Sequence, residues 1–355
     1  MKKINFKSFD KFINNSIKDC WNIPGLGIVI FNSNDILYKH VSGYSNLKNK
    51  KKLKENDKFC IASCSKSILC LTIALLIEKK KIPNIWEMTL AEIWSDKIHD
   101  DFKKVKIKQL ATHNSGINGP QDDVENTPCL KNFQYLEKKL EKYDGLNARK
   151  KLTNIVLKNK SLYEPGLKFE YSNWGYGILG AILEKLMKKK YYQLIDEEIM
   201  KPLNIKAKYE KLFYGNNYVN GHYSLWWDNN CRNKLIPLKK NQFINSLCES
   251  PSGETWLSLI DSAKYCQIFL KALNNHDTLL KKSTIKFLTK PEFEDYAYGW
   301  FINKRNHIYH GGNFFHTTTH FHLFPDKDIG IVFFTNTNFP PAHKWSIIKE
   351  LMKVI

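Results

Sequence analysis

Arginine is scarce in this chain. Of its 55 basic residues only Arg149, Arg232 and Arg305 are arginine, although the formal net charge is +20. Base readers and phosphate clamps favour the bidentate guanidinium over the point charge of an ammonium. The charge is therefore read as lysine-rich coding bias on a solvated surface, with weak, salt-sensitive polyanion affinity as its expected consequence. The 8 cysteines form no C-x-x-C pair, which argues against a zinc ribbon and a thioredoxin-like motif. Long apolar runs are missing too. The longest, Ile68 to Ile77, covers ten residues, where a membrane helix needs about 20. Residues 1–22 are rich in Lys and Asn and hold no apolar stretch of the kind found in an export leader. The expectation is a cytoplasmic chain with reduced thiols and no membrane span. No internal repeat or low-complexity tract is visible.

What is present is an ordinary globular mixture, 43% apolar and 25% charged. A length of 355 residues fits two domains, or one large α/β domain with an insert. Apolar spacing predicts a helix over 5–20, and strands over 27–32 and 36–41 around Ser33-Asn34-Asp35. A helix over 61–81 is apolar almost all round and so expected to be central. From 85 to 240 the text is mainly helical, with helices expected at 133–143, 148–158, 177–188 and 191–200. A further helix is expected at 261–273. Strands follow at 298–302, 307–310, 317–324 and 330–336, and an amphipathic helix at 343–354. Strands at both ends around a helical middle argue one sheet assembled from both termini. Cys60 and Cys64, four apart on the expected helix, are read as buried small hydrophobes.

Three short motifs carry chemistry. Ser63-Cys64-Ser65-Lys66 places a hydroxyl and an amine on one helix face. A buried lysine has a lowered pKa and can accept the serine proton. The same S-x-x-K pattern starts at Ser8, Ser45, Ser283 and Ser346. Only Ser63 opens a strongly apolar helix after an extended entry, so context selects it. Second, Tyr171-Ser172-Asn173 follows the turn at Pro165-Gly166. A phenol can serve as a base if a cation such as Lys66 lowers its pKa, and an Asn amide can bind a substrate amide. The duplicate Tyr44-Ser45-Asn46 is read as turn chemistry in the loop after the second strand. Third, His310-Gly311-Gly312 is read as the end of a short strand. There the two glycines, Gly311 and Gly312, let a ligand lie against the strand edge, and the N–H of Asn313 can complete an oxyanion hole.

In this order, the three motifs resemble those of the penicillin-recognising serine hydrolases. The nearest pattern is the class C β-lactamase-related group of β-lactamases, carboxylesterases and D-peptidases. Residues 107–117, with Thr112-His113-Asn114-Ser115-Gly116, and residues 251–261 resemble further segments of that group, as does the closing strand at 330–336. The resemblance implies Ser63 as nucleophile, Lys66 as the helix lysine, Tyr171 as base and Asn173 as the amide-binding residue. Where class C β-lactamases have Lys-Thr-Gly, this chain has His310-Gly311-Gly312. His-x-Gly resembles the esterase and D-aminopeptidase branches, and a histidine with a pKa near 6.5 would anchor a substrate carboxylate only at acid pH.

The expected fold is α/β and β-lactamase-like, a mostly antiparallel sheet with helices on both faces. Residues 1–84 and 246–355 would form the sheet domain, and 85–245 an inserted helical lobe. The expected activity is acyl transfer to water through an acyl-enzyme on Ser63, cleaving an ester, amide or β-lactam. Ser63 and Asn313 would supply the oxyanion-binding N–H groups. The partner is a small or peptide-like acyl substrate, without metal or organic cofactor. Two other readings stay open: a penicillin-binding-like protein that acylates with little turnover, and a polyanion-binding or nuclease side activity.

Overall fold

The computed structural model describes residues 4–19, 22–94, 98–117, 139–210, 218–223, 235–238, 247–276, 278–338 and 341–355. Strand β1 (Gly25–Phe31) is buried at every position, as a strand covered on both faces must be. It pairs antiparallel with β2 (Ile36–Asn46) on one side. On the other it meets a strand from the far end of the chain, Ile329–Thr335, with Val29 opposite Val332. Termini and sheet centre are thus one structure.

Among the described residues the large sheet has seven strands. They are β3 (Lys51–Lys52), β2, β1, β12 (Ile329–Thr335), β11 (Thr317–Phe324), β10 (Ile308–Phe314) and β9 (Phe301–Ile302), in that order. Each neighbouring pair within it is antiparallel. A smaller sheet joins β4 (Phe59–Cys60) to β8 (Thr255–Leu257) and β5 (Lys208–Tyr209). A third pairs β6 (His222–Tyr223) with β7 (Ile236–Pro237).

Each face of the large sheet has its own core. On one, Ile28, Ile30, Ile331 and Phe333 pack with Phe9 and Ile13 of helix α1 (Lys7–Asp19) and with Ile347 and Leu351 of the closing helix Pro341–Leu351. On the other, Val29, Phe321 and Val332 join a larger cluster. That cluster runs through α2 (Ser65–Glu78) and on into α3 (Gly145–Lys158), α4 (Asn173–Met187) and α5 (Leu259–Leu273). α2 is buried from Ser65 to Leu76, as its all-round apolar text predicts. Among the described residues no helix is long and apolar enough to cross a membrane.

Several boundaries move. The helix expected over 61–81 is a 3-10 turn, Ala62–Cys64, followed by α2. The helix expected from 177 begins at Asn173, because Ser172 caps it by accepting the Gly175 N–H at 3.0 Å. The strand expected to stop at His310 runs to Phe314, paired with β11 throughout, so the two glycines lie inside it. Tyr44-Ser45-Asn46 is the end of β2 rather than a loop. The helix expected over 133–143 falls largely outside the described residues. Cys60 lies in β4 and Cys64 in the 3-10 turn, both buried.

Candidate active site

The chain enters the site through a strained turn. Ala62 has φ +47°, a left-handed conformation that costs a non-glycine residue about 1–3 kcal/mol. Contacts on both sides hold it: the Ile61 N–H donates to Thr255 O at 2.9 Å, and Thr319 Oγ1 donates to Cys60 O at 3.2 Å. The turn lifts Ser63, partly exposed, out of a buried run, while Lys66 three residues later is fully buried at the head of α2.

Lys66 Nζ lies 3.1 Å from Ser63 Oγ, 2.8 Å from Asn173 Oδ1 and 3.0 Å from Ser252 O. Burial lowers its pKa to about 7, with the charge of Glu249 opposing the fall. A neutral amine is therefore available near neutrality. It sits within reach of the serine hydroxyl, the geometry of an activated nucleophile.

Tyr171 also reaches Ser63 through its phenol. The expectation that Lys66 lowers its pKa is overturned. Lys66 Nζ stands over the ring, 4.7 Å from its centre. Burial is the largest influence and pushes the phenol above its ordinary value, with the Ser63 hydrogen bond opposing it. At neutrality Tyr171 is a protonated phenol.

The motif is held from behind by His113, a residue no sequence argument had given a role. His113 Nδ1 accepts the Ser172 N–H at 2.9 Å, and its carbonyl accepts the Glu170 N–H at 2.7 Å. Its ring lies 4.2 Å from the Tyr171 ring, centre to centre. Burial and the charge of Lys66 keep this imidazole neutral. The Thr112-His113-Asn114 text was the available signal. For Ser252, whose contribution is a main-chain carbonyl, side-chain chemistry offered none.

On β10 the alternation turns His310 and Gly312 inward, both buried, and leaves Asn313 exposed. A Cβ on Gly312 would come 2.5 Å from the Ser63 nitrogen and 2.6 Å from Ala62 Cβ, so only glycine lets the strand meet the turn that carries Ser63. Asn313 follows directly, its Oδ1 accepting from Thr318 Oγ1 at 2.8 Å. His310 departs from expectation. Its Nδ1 donates to Gly311 O at 2.7 Å, which leaves Nε2 to accept from Tyr296 Oη at 3.1 Å. Burial first, then the charge of Lys66, lowers its pKa to about 3 rather than near 6.5. It is a neutral, internally bonded imidazole.

The family model described as Beta-lactamase matches residues 13–347. The chain belongs to the Beta-lactamase family. Among curated relatives, Protein flp of Staphylococcus aureus (strain MW2) is 25% identical over 89% of this chain and 60% of its own length. This chain thus spans about three fifths of the first curated relatives it matches. Penicillin-binding protein 4* of Bacillus subtilis (strain 168) is 23% identical over 90% of this chain and 70% of its own. The solved penicillin-binding protein from Bacillus halodurans covers 97% of this chain and 100% of its own, at TM-score 0.75 and 17% identity. EstCE1, described as a hydrolase with promiscuous acyltransferase activity, gives TM-score 0.71 and 17% identity over 94% of this chain and 93% of its own. These likenesses show a shared β-lactamase and penicillin-binding-protein fold.

Proposed function

We propose that the protein is a serine acyl hydrolase working through an acyl-enzyme on Ser63. The observation that carries this reading is Lys66, neutral near pH 7 and 3.1 Å from the Ser63 hydroxyl. Lys66 Nζ takes the hydroxyl proton as Oγ bonds to the substrate carbonyl carbon. The N–H groups of Ser63 and Asn313 hold the oxygen that becomes negative. When the tetrahedral intermediate collapses, the leaving group takes a proton from the Tyr171 phenol, and Tyr171 recovers one from Lys66. Asn173, its Oδ1 bonded to Lys66, keeps its amide N–H for the acyl side chain. Water then attacks the ester and the proton path reverses.

Neutral acyl compounds suit this site best. His310 carries no charge with which to hold a carboxylate, which favours esters and amides over β-lactams. A panel of a chromogenic cephalosporin, short-chain nitrophenyl esters and D-amino-acid amides tests this. Ester turnover that Ser63→Ala abolishes supports the reading, and turnover that survives Ser63→Ala sinks it.

One observation favours a second reading, a penicillin-binding-like protein that acylates with little turnover. Tyr171 is protonated and so a poor base for the deacylating water. Penicillin bound to Ser63 without release would select that reading.

A further inference from the structure

Among its contacts Lys66 relies on a main-chain atom, the Ser252 carbonyl, 3.0 Å from Nζ. That carbonyl belongs to a short helical turn, Ser250–Gly253. The turn packs against α4, where a Cβ on Gly177 would meet Cys248 O at 2.4 Å and one on Gly180 would meet Pro251 Cγ at 2.6 Å. The direction of the Ser252 carbonyl depends on how both ends of this turn are anchored.

The far end of the turn is held where Glu254 N–H donates to Ser250 O at 2.9 Å and β8 begins; Arg149, from α3, restrains its near end. It is fully buried, and its Nη1 donates to Leu247 O at 2.8 Å and to Ser250 Oγ at 2.9 Å. The rest of the fork is itself pinned. Nε and Nη2 donate to the two carboxylate oxygens of Glu184 at 3.0 and 2.6 Å, and Nη1 also meets Glu210 Oε1 at 2.6 Å. The guanidinium carbon lies 4.7 Å from the centre of the Tyr191 ring. Burying these charges is expensive, and apolar residues of similar volume often serve stability as well. What the network adds is geometry, because a planar fork with five donors fixes several acceptors at once.

We propose that Arg149 is a positioning residue for the acyl-transfer site: it holds Leu247 O and Ser250 Oγ, locks the Ser250–Gly253 turn, and so aims the Ser252 carbonyl at Lys66. This rests on the reading of Lys66 as the base for Ser63. The carbonyl favours the charged ammonium and keeps Nζ between Ser63 and Asn173. A turn that drifts withdraws that acceptor, so the Lys66 titration falls further and Nζ loses its line to the hydroxyl.

The test follows Lys66 directly. The full chain carries lysine labelled with carbon-13 at Cε, the Lys66 resonance is assigned with Lys66→Met, and labelling of Ser63 by a fluorophosphonate is timed in parallel. In Arg149→Lys the Lys66 titration should fall by roughly one pH unit, with Ser63 labelling slowed about 10-fold. Ser250→Ala removes one of the links, and about 3-fold slowing is expected, with a downward shift in the same titration. Glu198→Gln is the control, since Glu198 is buried and paired with Lys79 and Lys81 at the other end of α2. It should lower Tm and leave both readouts alone. If Arg149→Lys and Ser250→Ala behave like Glu198→Gln, or move the titration upward, Arg149 is only structural and the proposal fails. Should Arg149→Lys not fold, Ser250→Ala decides on the same readouts. A wild-type protein in which Ser63 is never labelled would instead overturn the acyl-transfer reading, and the Lys66 shift would then judge Arg149 alone.

Discussion

Tyr296 Oη donates to His310 Nε2 at 3.1 Å while His310 Nδ1 donates to Gly311 O at 2.7 Å, so both imidazole nitrogens are engaged inside the protein. Protonating the ring would place a charge where burial makes it costly. The third motif therefore holds a neutral imidazole, not a cation.

From this pair follows a pH profile. With His310 held at about 3, no imidazolium forms at ordinary assay pH. The ratio of kcat/KM for a cephalosporin to that for a neutral ester should stay constant from about pH 8 to about pH 5. A ratio rising toward acid would mean that His310 charges and binds the carboxylate.

Lys66 should set the acid limb of acylation. With its pKa at about 7, the active neutral amine is lost as pH falls, so the rate should climb through neutrality and then level off. Tyr171→Phe should cost about 10²- to 10⁴-fold, the usual scale for a proton-transfer group. Tyr44→Phe, in the duplicate tripeptide on β2, should change little. Rates of ester hydrolysis across pH check both; a flat profile or a damaging Tyr44→Phe would contradict the assignment.

Gly312→Ala should separate the site from the fold. Its Cβ would press on the Ser63 nitrogen at 2.5 Å, displacing the turn that carries the nucleophile. Overpacking of this kind costs about 1–3 kcal/mol in stability, and Ser63 labelling should drop by at least about 10². Thermal unfolding and fluorophosphonate labelling measure the two effects. Full labelling of a folded Gly312→Ala protein would show that β10 does not abut the reacting centre.

Acid should destabilise the fold. Burial holds His222 and His307 at about 4 and His310 at about 3, and keeps His320 and His322 well below their ordinary value. His307 Nε2 and His322 Nδ1 face each other at 2.9 Å, an arrangement that tolerates only one proton between them. In the unfolded chain these groups titrate near 6.5, so below that pH the unfolded state binds protons that the folded state refuses. The stability they contribute is complete above about 6.5 and is lost as pH falls toward about 4. Each imidazole steepens that loss by up to about 1.4 kcal/mol per pH unit. Urea midpoints should be lower at pH 5 than at pH 7.5, and equal midpoints would refute the argument.

Local pattern and composition by themselves determined much of this protein. The apolar text of Ile68–Ile77 predicts a central helix and the strands at both ends predict one sheet, and the structure buries α2 from Ser65 to Leu76 and β1 and β12 at every position. Apolar context singled out Ser63 among five S-x-x-K matches, and the structure brings Ser63, Lys66, Tyr171 and Asn173 together. Charge states and supports were decided by tertiary structure alone. The Tyr171 phenol is pushed up by its burial, and the bonding of His310 depends on Tyr296, from the segment before β9. His113, Arg149 and the Ser252 carbonyl act through partners 59 to 186 residues away, and a main-chain acceptor has no residue type to read. Desolvation, which sets these pKa values, is a property of the packed neighbourhood and comes into being only when the chain folds.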